Sequence, residues 1–292
     1  MRRDAAIEVA GASVFTCREQ GHGTFGRLLL MRRIAMFSDI HGNLTALDAV
    51  LADIESAGVN EVYCLGDLVG YGPDSPGVVN RIRSLGIPTI MGNYDEGIGD
   101  RRGECGCYYV TEQAKRDGAA SYEFTDGALD DADHAWLSSL PGEIRIEHQG
   151  VRILLVHGSP RKINEYLLLD RPEKQLARLA DEAQADVVCV GHIHIPYHRT
   201  MTALDGRTVH YVSSGSVGKP KDGDPRAAWV ELVLGSAGEV ATTEDSSAAP
   251  GGATDIAVGA VVHRIGYDVE KVAQEVLAAG LPPTLAEALR TA

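Results

Sequence analysis

Residues 33 to 43 read RIAMFSDIHGN, an apolar run that gives way to a carboxylate, an imidazole and a glycine-asparagine pair. RIAMF has the length and branched composition of a strand buried on both faces. Asn43 is a good N-cap, and LTALDAVLADIESAG after it carries apolar residues at 44, 47, 50, 51 and 54 before stopping at Gly58. That is the pattern of an amphipathic helix. Asp39 and His41 therefore sit at the carboxyl end of a strand, where open α/β sheets hold their ligands.

Similar short runs, rich in branched or aromatic residues, follow: EVYCLG (61–66), IPTIM (87–91), VRILLVHG (151–158), ADVVCVG (185–191), TVHYVSSG (208–215), AAWVELVLG (227–235) and a run within 257–266. Helical stretches lie between the first three, and PEKQLARLADEAQ precedes the strand ending at Gly191. Strand, helix, strand in succession implies parallel pairing through crossovers. The later strands follow one another without helices, which predicts antiparallel or mixed sheet. The fold class expected is an α/β sandwich of two packed mixed β-sheets flanked by helices.

Residues 31–292 read as one domain. Residues 96–140 form a partly helical insertion, and 236–255 are small, polar and aperiodic, as in a mobile loop. YDVEKVAQEVLAAG and PTLAEALRTA close the chain as two short helices. Residues 1–30 lack a sustained period and read as a poorly ordered extension, with an accessory packed element as the competing explanation; Met31 begins a second basic start, MRRIAMFSD.

The 292-residue chain is long enough to bury a substantial core, and its net charge of −14 argues against a surface built to bind nucleic acid or anionic lipid. An anionic substrate then needs local positive charge. Five cysteines, at 17, 64, 105, 107 and 189, are too few and too odd in number for a disulfide framework. No apolar stretch approaches the roughly 20 residues of a membrane span, and the first 30 residues lack a secretory h-region. The expectation is a cytoplasmic protein.

The decisive observation is positional. Asp39 and His41 follow the first strand, Asp67 the second and Asn93 the third; His157 ends the strand at 151, and His192 and His194 follow the strand at 185. Alone, each has an ordinary reading as turn former, cap or satisfied polar residue. Together they place nitrogen and oxygen donors at five strand ends, with D-x-H and H-x-H pairs whose members share a side if the backbone is extended. A dinuclear metal site explains the set. Donors without thiolate suit manganese, iron, zinc or nickel, with manganese favoured. Two such ions lower the pKa of a shared water to give hydroxide and clamp phosphate oxygens during in-line attack.

The blocks SDIHGN (38–43), LGDLVGYGP (65–73), MGNYD (91–95), LLVHGSP (154–160) and VGHIHIP (190–196) resemble, in order, those of the calcineurin-like metallophosphoesterase family. The resemblance implies one ion held by Asp39, His41, Asp67 and His194 and a second by Asp67, Asn93, His157 and His192, with Asp67 bridging. It also exposes departures. Many members carry G-N-H-[DE] in the third block, where the histidine protonates the leaving group together with an acid in the second block. Here those positions are Tyr94 and Gly70, and Tyr71 stands where serine/threonine phosphatases have an arginine. A phenol is a poorer proton relay than imidazole at neutral pH.

These departures favour a phosphodiesterase acting on a small molecule or nucleotide. The alternatives are a phosphomonoesterase or phosphoprotein phosphatase, a dinucleoside polyphosphate hydrolase, and a non-catalytic interaction scaffold of the same fold. Asp67, Asn93, Tyr94 and Asp95 are the catalytic candidates, with Tyr94 orienting substrate or only packing, and Asp95 a proton shuttle or a partner behind the ligands. Arg161, Lys219 and Arg226 are candidates for substrate phosphate, as against solvated turns, and Lys162 and Lys221 share that ambiguity. For Cys105 and Cys107, one intervening residue is a strained spacing for a disulfide and unlike a zinc pair, so ordinary packing is expected.

Overall fold

The computed structural model describes residues 31–240, 249–250 and 256–292. The first 30 residues and most of the 236–255 loop lie outside these. Two five-stranded sheets pack face to face. In the first, β1 (Arg32–Phe37) pairs in parallel with β2 (Glu61–Cys64), which follows α1 (Leu44–Ser56). Next in the chain come α2 (Ser75–Leu85), α3 (Asn93–Gly99), α4 (Glu112–Ala128) and α5 (Asp131–Ser139). The second sheet holds β3 (Glu143–His148), β4 (Val151–Val156), then after α6 (Glu173–Ala183) β5 (Val187–Val190), β6 (Pro196–Thr202) and β7 (Thr208–Ser214), in the order β3-β4-β5-β7-β6. The chain then returns to complete the first sheet with β8 (Ala227–Gly235), α7 (Ala237–Val240), β9 (Ala249–Pro250) and β10 (Ala257–Ile265), in the order β2-β1-β8-β10-β9. Helices α8 (Val269–Ala278) and α9 (Pro283–Thr291) finish it.

The mixed sheets are those expected. Crossovers through helices make β1-β2 and β4-β5 parallel, while the helix-free connection gives antiparallel β6-β7. Period-2 alternation explains the layering: Ile34 and Met36 of β1 meet Ile153, Leu155 and Val187 of the opposite sheet, whereas Ala35 and Phe37 face Leu47 and Val50 of α1. Leu154 and Val188 turn outward onto Leu176 and Leu179 of α6.

Two expectations are corrected. IPTIM is not a strand but an extended segment with one bridge, Thr89 to Cys64. Pro88 has no N–H to donate, so its carbonyl accepts from Cys64 N and Ile90 N donates back to Cys64 O, and the pairing ends there. Within 236–255, Ala237–Val240 is helical and Ala249–Pro250 pairs with β10, so part of the supposed mobile loop belongs to the sheet. None of the described helices is long and apolar enough to cross a membrane.

Candidate metal centre

Asp39 (φ 54°), His41 (φ 49°), Asp67 (φ 56°), His192 (φ 67°) and His194 (φ 62°) all adopt left-handed backbone. For a non-glycine residue this costs about 1–2 kcal/mol. The turns are laced to one another: Asp39 N donates to Gly66 O (2.9 Å), and Ile40 N and His41 N both donate to Asp67 O (2.9 and 3.1 Å). The extended geometry expected for the D-x-H and H-x-H pairs is therefore corrected. Left-handed turns fold the side chains back over the sheet end instead, and the two pairs behave differently. Asp39 and His41 gather with His194 in one buried group, while His192 joins Asp67 and His157 in another.

Asp67 spans the two groups. Its Oδ2 lies 3.4 Å from His157 Nε2 and 3.7 Å from His41 Nε2, and its Oδ1 accepts from Tyr94 N at 2.8 Å. The imidazoles are aimed by their other nitrogens. Nδ1 of His41 meets Val69 O at 3.0 Å, Nδ1 of His157 meets Leu65 O at 2.7 Å, and Nδ1 of His194 meets Lys219 O. Carbonyls only accept, so these contacts put a proton on Nδ1, and in the neutral ring the Nε2 lone pair then faces the centre. Asp39 Oδ2 is held by Ser38 Oγ and by His192 N (3.0 Å).

The donor set fits a pair of cations on its own geometry. Asp39 Oδ1 and His192 Nε2 are buried without a hydrogen-bond partner, and the Nε2 atoms of His41 and His194 stand 3.2 Å apart. Buried unpaired acceptors cost about 1–3 kcal/mol each. A divalent ion in each of the two groups would satisfy them, and nitrogen-oxygen donors suit first-row transition metals.

Burial pushes His41 down to about 3, and burial with neighbouring His157 does the same to His192. Burial, Lys221 and Lys219 hold His194 well below its ordinary value. These rings are thus in the neutral form a metal requires. His157 moves the other way: burial opposes its charge, but Asp67 outweighs that and raises it to about 9. Burial opposes ionisation of Asp67 too, yet His157 and His41 keep it below the usual carboxylate range.

Asn93 opens α3, with Oδ1 3.2 Å from His157 Nε2. Its Nδ2 donates to Cys105 O (2.9 Å) and Cys107 Sγ (3.2 Å), which turns the amide oxygen toward the centre. The insertion thus orients a ligand candidate. The sulfurs of Cys105 and Cys107 lie against each other, with the Cα atoms 5.4 Å apart and Gly106 between them in left-handed backbone (φ 65°).

Among the described residues the Asp95 carboxylate is engaged by backbone amides. It accepts from Asp67 N (2.7 Å), Leu68 N (2.9 Å) and Gly92 N (2.9 Å), tying the Asp67 turn to the start of α3. Burial and the Asp67 charge push it up to about 7, while the three donors favour the anion. Gly92 is fixed by contact, since a Cβ there would lie 2.2 Å from Asp67 N.

Tyr94 is fully buried, its ring 5.4 Å from that of His41 and 4.8 Å from that of Tyr71. A Cβ at Gly70 would fall 2.4 Å from the Tyr94 ring. The two departures from the family pattern are thus one feature, because the ring fills the volume a side chain at position 70 would need.

The basic candidates separate. Arg161 pairs with Glu165 at 2.7 Å and Arg226 with Asp224 at 2.6 Å, both on the surface. The Lys219 ammonium instead lies 4.7 Å over the Tyr71 ring. Two contributors went unread in the sequence. Ser38 sits inside the first block and its hydroxyl at Asp39 was inferable, whereas Tyr166, 4.3 Å from the His192 ring, lies in an aperiodic loop without any signal. A large groove between the edges of β2 and β3 is lined by none of the seven ligand candidates.

The model of the calcineurin-like phosphoesterase superfamily domain matches residues 31–233. The chain belongs to that superfamily. An uncharacterized protein of Methanocaldococcus jannaschii, MJ0912, is 33% identical over 208 residues, 67% of this chain and 80% of that protein. A symmetrical bis(5'-nucleosyl)-tetraphosphatase of Acidovorax sp. is 32% identical over 125 residues, 41% of each. The crystal structure of a metallophosphoesterase from Sphaerobacter thermophilus covers 89% of this chain and 98% of its own length, at 26% identity and a TM-score of 0.62. This phosphoesterase is accordingly a metal-dependent hydrolase of phosphoric esters with candidate ligand clusters for divalent ions.

Proposed function

We propose that this phosphoesterase cleaves phosphodiesters of small molecules or nucleotides, with residues 31–292 acting as one catalytic unit. Two divalent ions, manganese favoured, are held by Asp39, His41, Asp67 and His194 and by Asp67, Asn93, His157 and His192. The observation that carries the two-ion reading is Asp67 Oδ2, within reach of both imidazole groups. When bound, such ions supply Lewis acidity toward water and toward phosphoryl oxygens. The chain's own residues do the rest. Ser38 and His192 N fix the Asp39 carboxylate, the insertion aims Asn93, Asp95 positions the Asp67 turn, and the buried wall of Tyr94 excludes water.

The preference for diesters is supported by the Tyr94–Gly70 contact, which leaves no room for an acid dyad to protonate a poor leaving group. Purified protein loaded with manganese, its metal content measured, is assayed on bis-p-nitrophenyl phosphate and p-nitrophenyl phosphate. Faster turnover of the diester is expected. No turnover with manganese, iron, zinc or nickel in protein holding two ions overturns the activity, and faster monoester turnover overturns the preference. A second reading, hydrolysis of a dinucleoside polyphosphate, is favoured by the similarity to the tetraphosphatase. It stays within diester chemistry, because an internal phosphoryl group of such a chain is also doubly substituted.

A further inference from the structure

We infer that Lys219 and Lys221 form a second anion subsite on the His41–His194 side of the metal centre, which takes a phosphate adjoining the one cleaved. The substrate is then an ester of a diphosphate or longer polyphosphate. This rests on the phosphoesterase reading of the metal centre.

Both lysines are fastened to a ligand candidate through their main chains. Lys219 O accepts from His194 Nδ1, and Lys221 N donates to His194 O at 3.3 Å. The loop beneath them is pinned in turn: Gly218 N donates to Asp39 O at 2.9 Å, and Lys219 N donates to Ser216 Oγ, which donates to Asp39 O, each at 2.8 Å. Their side chains have no such partners. Asp222 is committed to Arg264 and Asp224 to Arg226, while Asp117, the carboxylate whose charge reaches Lys219, is held by Gln113 Nε2 (2.8 Å) and Thr284 Oγ1 (2.7 Å); neither lysine forms an ion pair among the described residues. Lys219 rests over the Tyr71 ring, itself 4.9 Å from the ring of His41.

Formal charge decides what would complete this arrangement. Two divalent ions offset by the Asp39 and Asp67 carboxylates keep a net charge of about +2. The single negative charge of a simple diester falls within that, so two further ammonium groups would only repel the ions. A second phosphate supplies the missing charge, and ammonium groups bind phosphate as point charges. Residues outside the matched region 31–233 pack beside this loop: Val272 of α8 and Leu285 and Leu289 of α9 line a small apolar cavity next to Tyr71 and Lys219, and Gly223 N donates to Ala292 O at 3.1 Å.

The test is calorimetric binding of inorganic phosphate and non-hydrolysable methylenediphosphonate to the full-length, manganese-loaded protein, with metal content measured for every variant. Wild type should bind the diphosphonate about tenfold or more tightly than phosphate, and K219M/K221M should reduce that preference to about threefold or less while phosphate affinity shifts little. K219R/K221R should keep it. The Lys219 carbonyl rather than its side chain holds His194, so the exchanges leave that contact in place; the single variants K219Q and K221Q, each expected to lose part of the preference, serve if the double variant fails to load metal. No preference in wild type, or full preference in the methionine and glutamine variants, overturns the subsite. Turnover of bis-p-nitrophenyl phosphate is read separately, so a failed subsite with intact diesterase activity is distinguishable from failure of the metal centre itself.

Discussion

Replacing Asp95 by Asn separates a positioning role from a chemical one. The carboxylate is fully buried and accepts three backbone N–H groups, two on Oδ2 (Asp67 N and Gly92 N) and one on Oδ1 (Leu68 N). An amide keeps one oxygen for two of these donors and points its own NH2 at the third. One buried N–H is then orphaned, at about 1–3 kcal/mol, and two charge-assisted bonds become neutral, at about 0.5–1 kcal/mol each. The expected loss is about 2–5 kcal/mol. At about 2–4 °C per kcal/mol for a chain of this size, Tm falls by roughly 4–20 °C. The assay is thermal and urea unfolding at pH 8, above the value of about 7 to which burial raises this carboxyl, with manganese titration alongside. Manganese affinity should weaken as well, because Asp67 and Leu68 carry the displaced amides. A variant that melts within about 1 °C of wild type, loads two ions and yet loses a hundredfold in kcat would refute this reasoning and make Asp95 a proton shuttle.

Gly70→Ala places a Cβ 2.4 Å from the Tyr94 ring at a φ of 91°, and should cost about 2–4 kcal/mol in urea unfolding; pairing it with Tyr94→Ala relieves the clash but not the backbone strain, and full additivity in the double-mutant cycle contradicts the contact. Tyr94→Phe should keep diester kcat/KM within about threefold, since the ring rather than the hydroxyl fills the wall; a loss of a hundredfold would assign chemistry to the phenol. Arg161→Ala and Arg226→Ala should each change KM by less than about threefold, because both guanidinium groups already face carboxylates. Metal-free protein should be most stable near neutral pH. Between about 6.5 and 3 the unfolded chain binds more protons than buried His41 and His192, so stability falls with pH there; between about 6.5 and 9 the fold holds the extra proton on His157, so stability falls as pH rises. A flat melting profile across pH 4–9 would contradict these assignments.

Central strands were legible because both their faces are apolar: β1, β4, β5 and β8 appear in the sequence as unbroken runs. The edge strands of the second sheet were not. β3 reads EIRIEH and β6 reads PYHRTMT, alternating buried and partly exposed positions along the rims of one sheet, so neither presents an apolar run. IPTIM deceived in the opposite sense, for an apolar composition does not reveal that Pro88 cannot donate to a ladder. The donors themselves were legible by type and by place along the chain. Their backbone was not, because an Asp or His at positive φ leaves no mark in composition; the split of His192 from His194 between the two groups is the one the family resemblance implied.

The left-handed turns also bear on why the centre tolerates so little freedom. Each costs about 1–2 kcal/mol, and none persists unless its surroundings over-determine it. Here the surroundings are backbone groups from other turns: Asp67 O receives two amides from the first turn, Asp95 receives the amides of Asp67 and Leu68, and Asp39 Oδ2 receives the amide of His192. Every turn that presents a donor is thus held by a carboxylate or carbonyl of another. Displacing one loosens its neighbours, so effects of substitutions at Asp39, Asp67 and Asp95 should be strongly non-additive. A flexible set of donors would pay the ordering cost at the moment a cation binds; this set has met it in folding, and its unpaired Asp39 Oδ1 and His192 Nε2 are the measure of what binding returns.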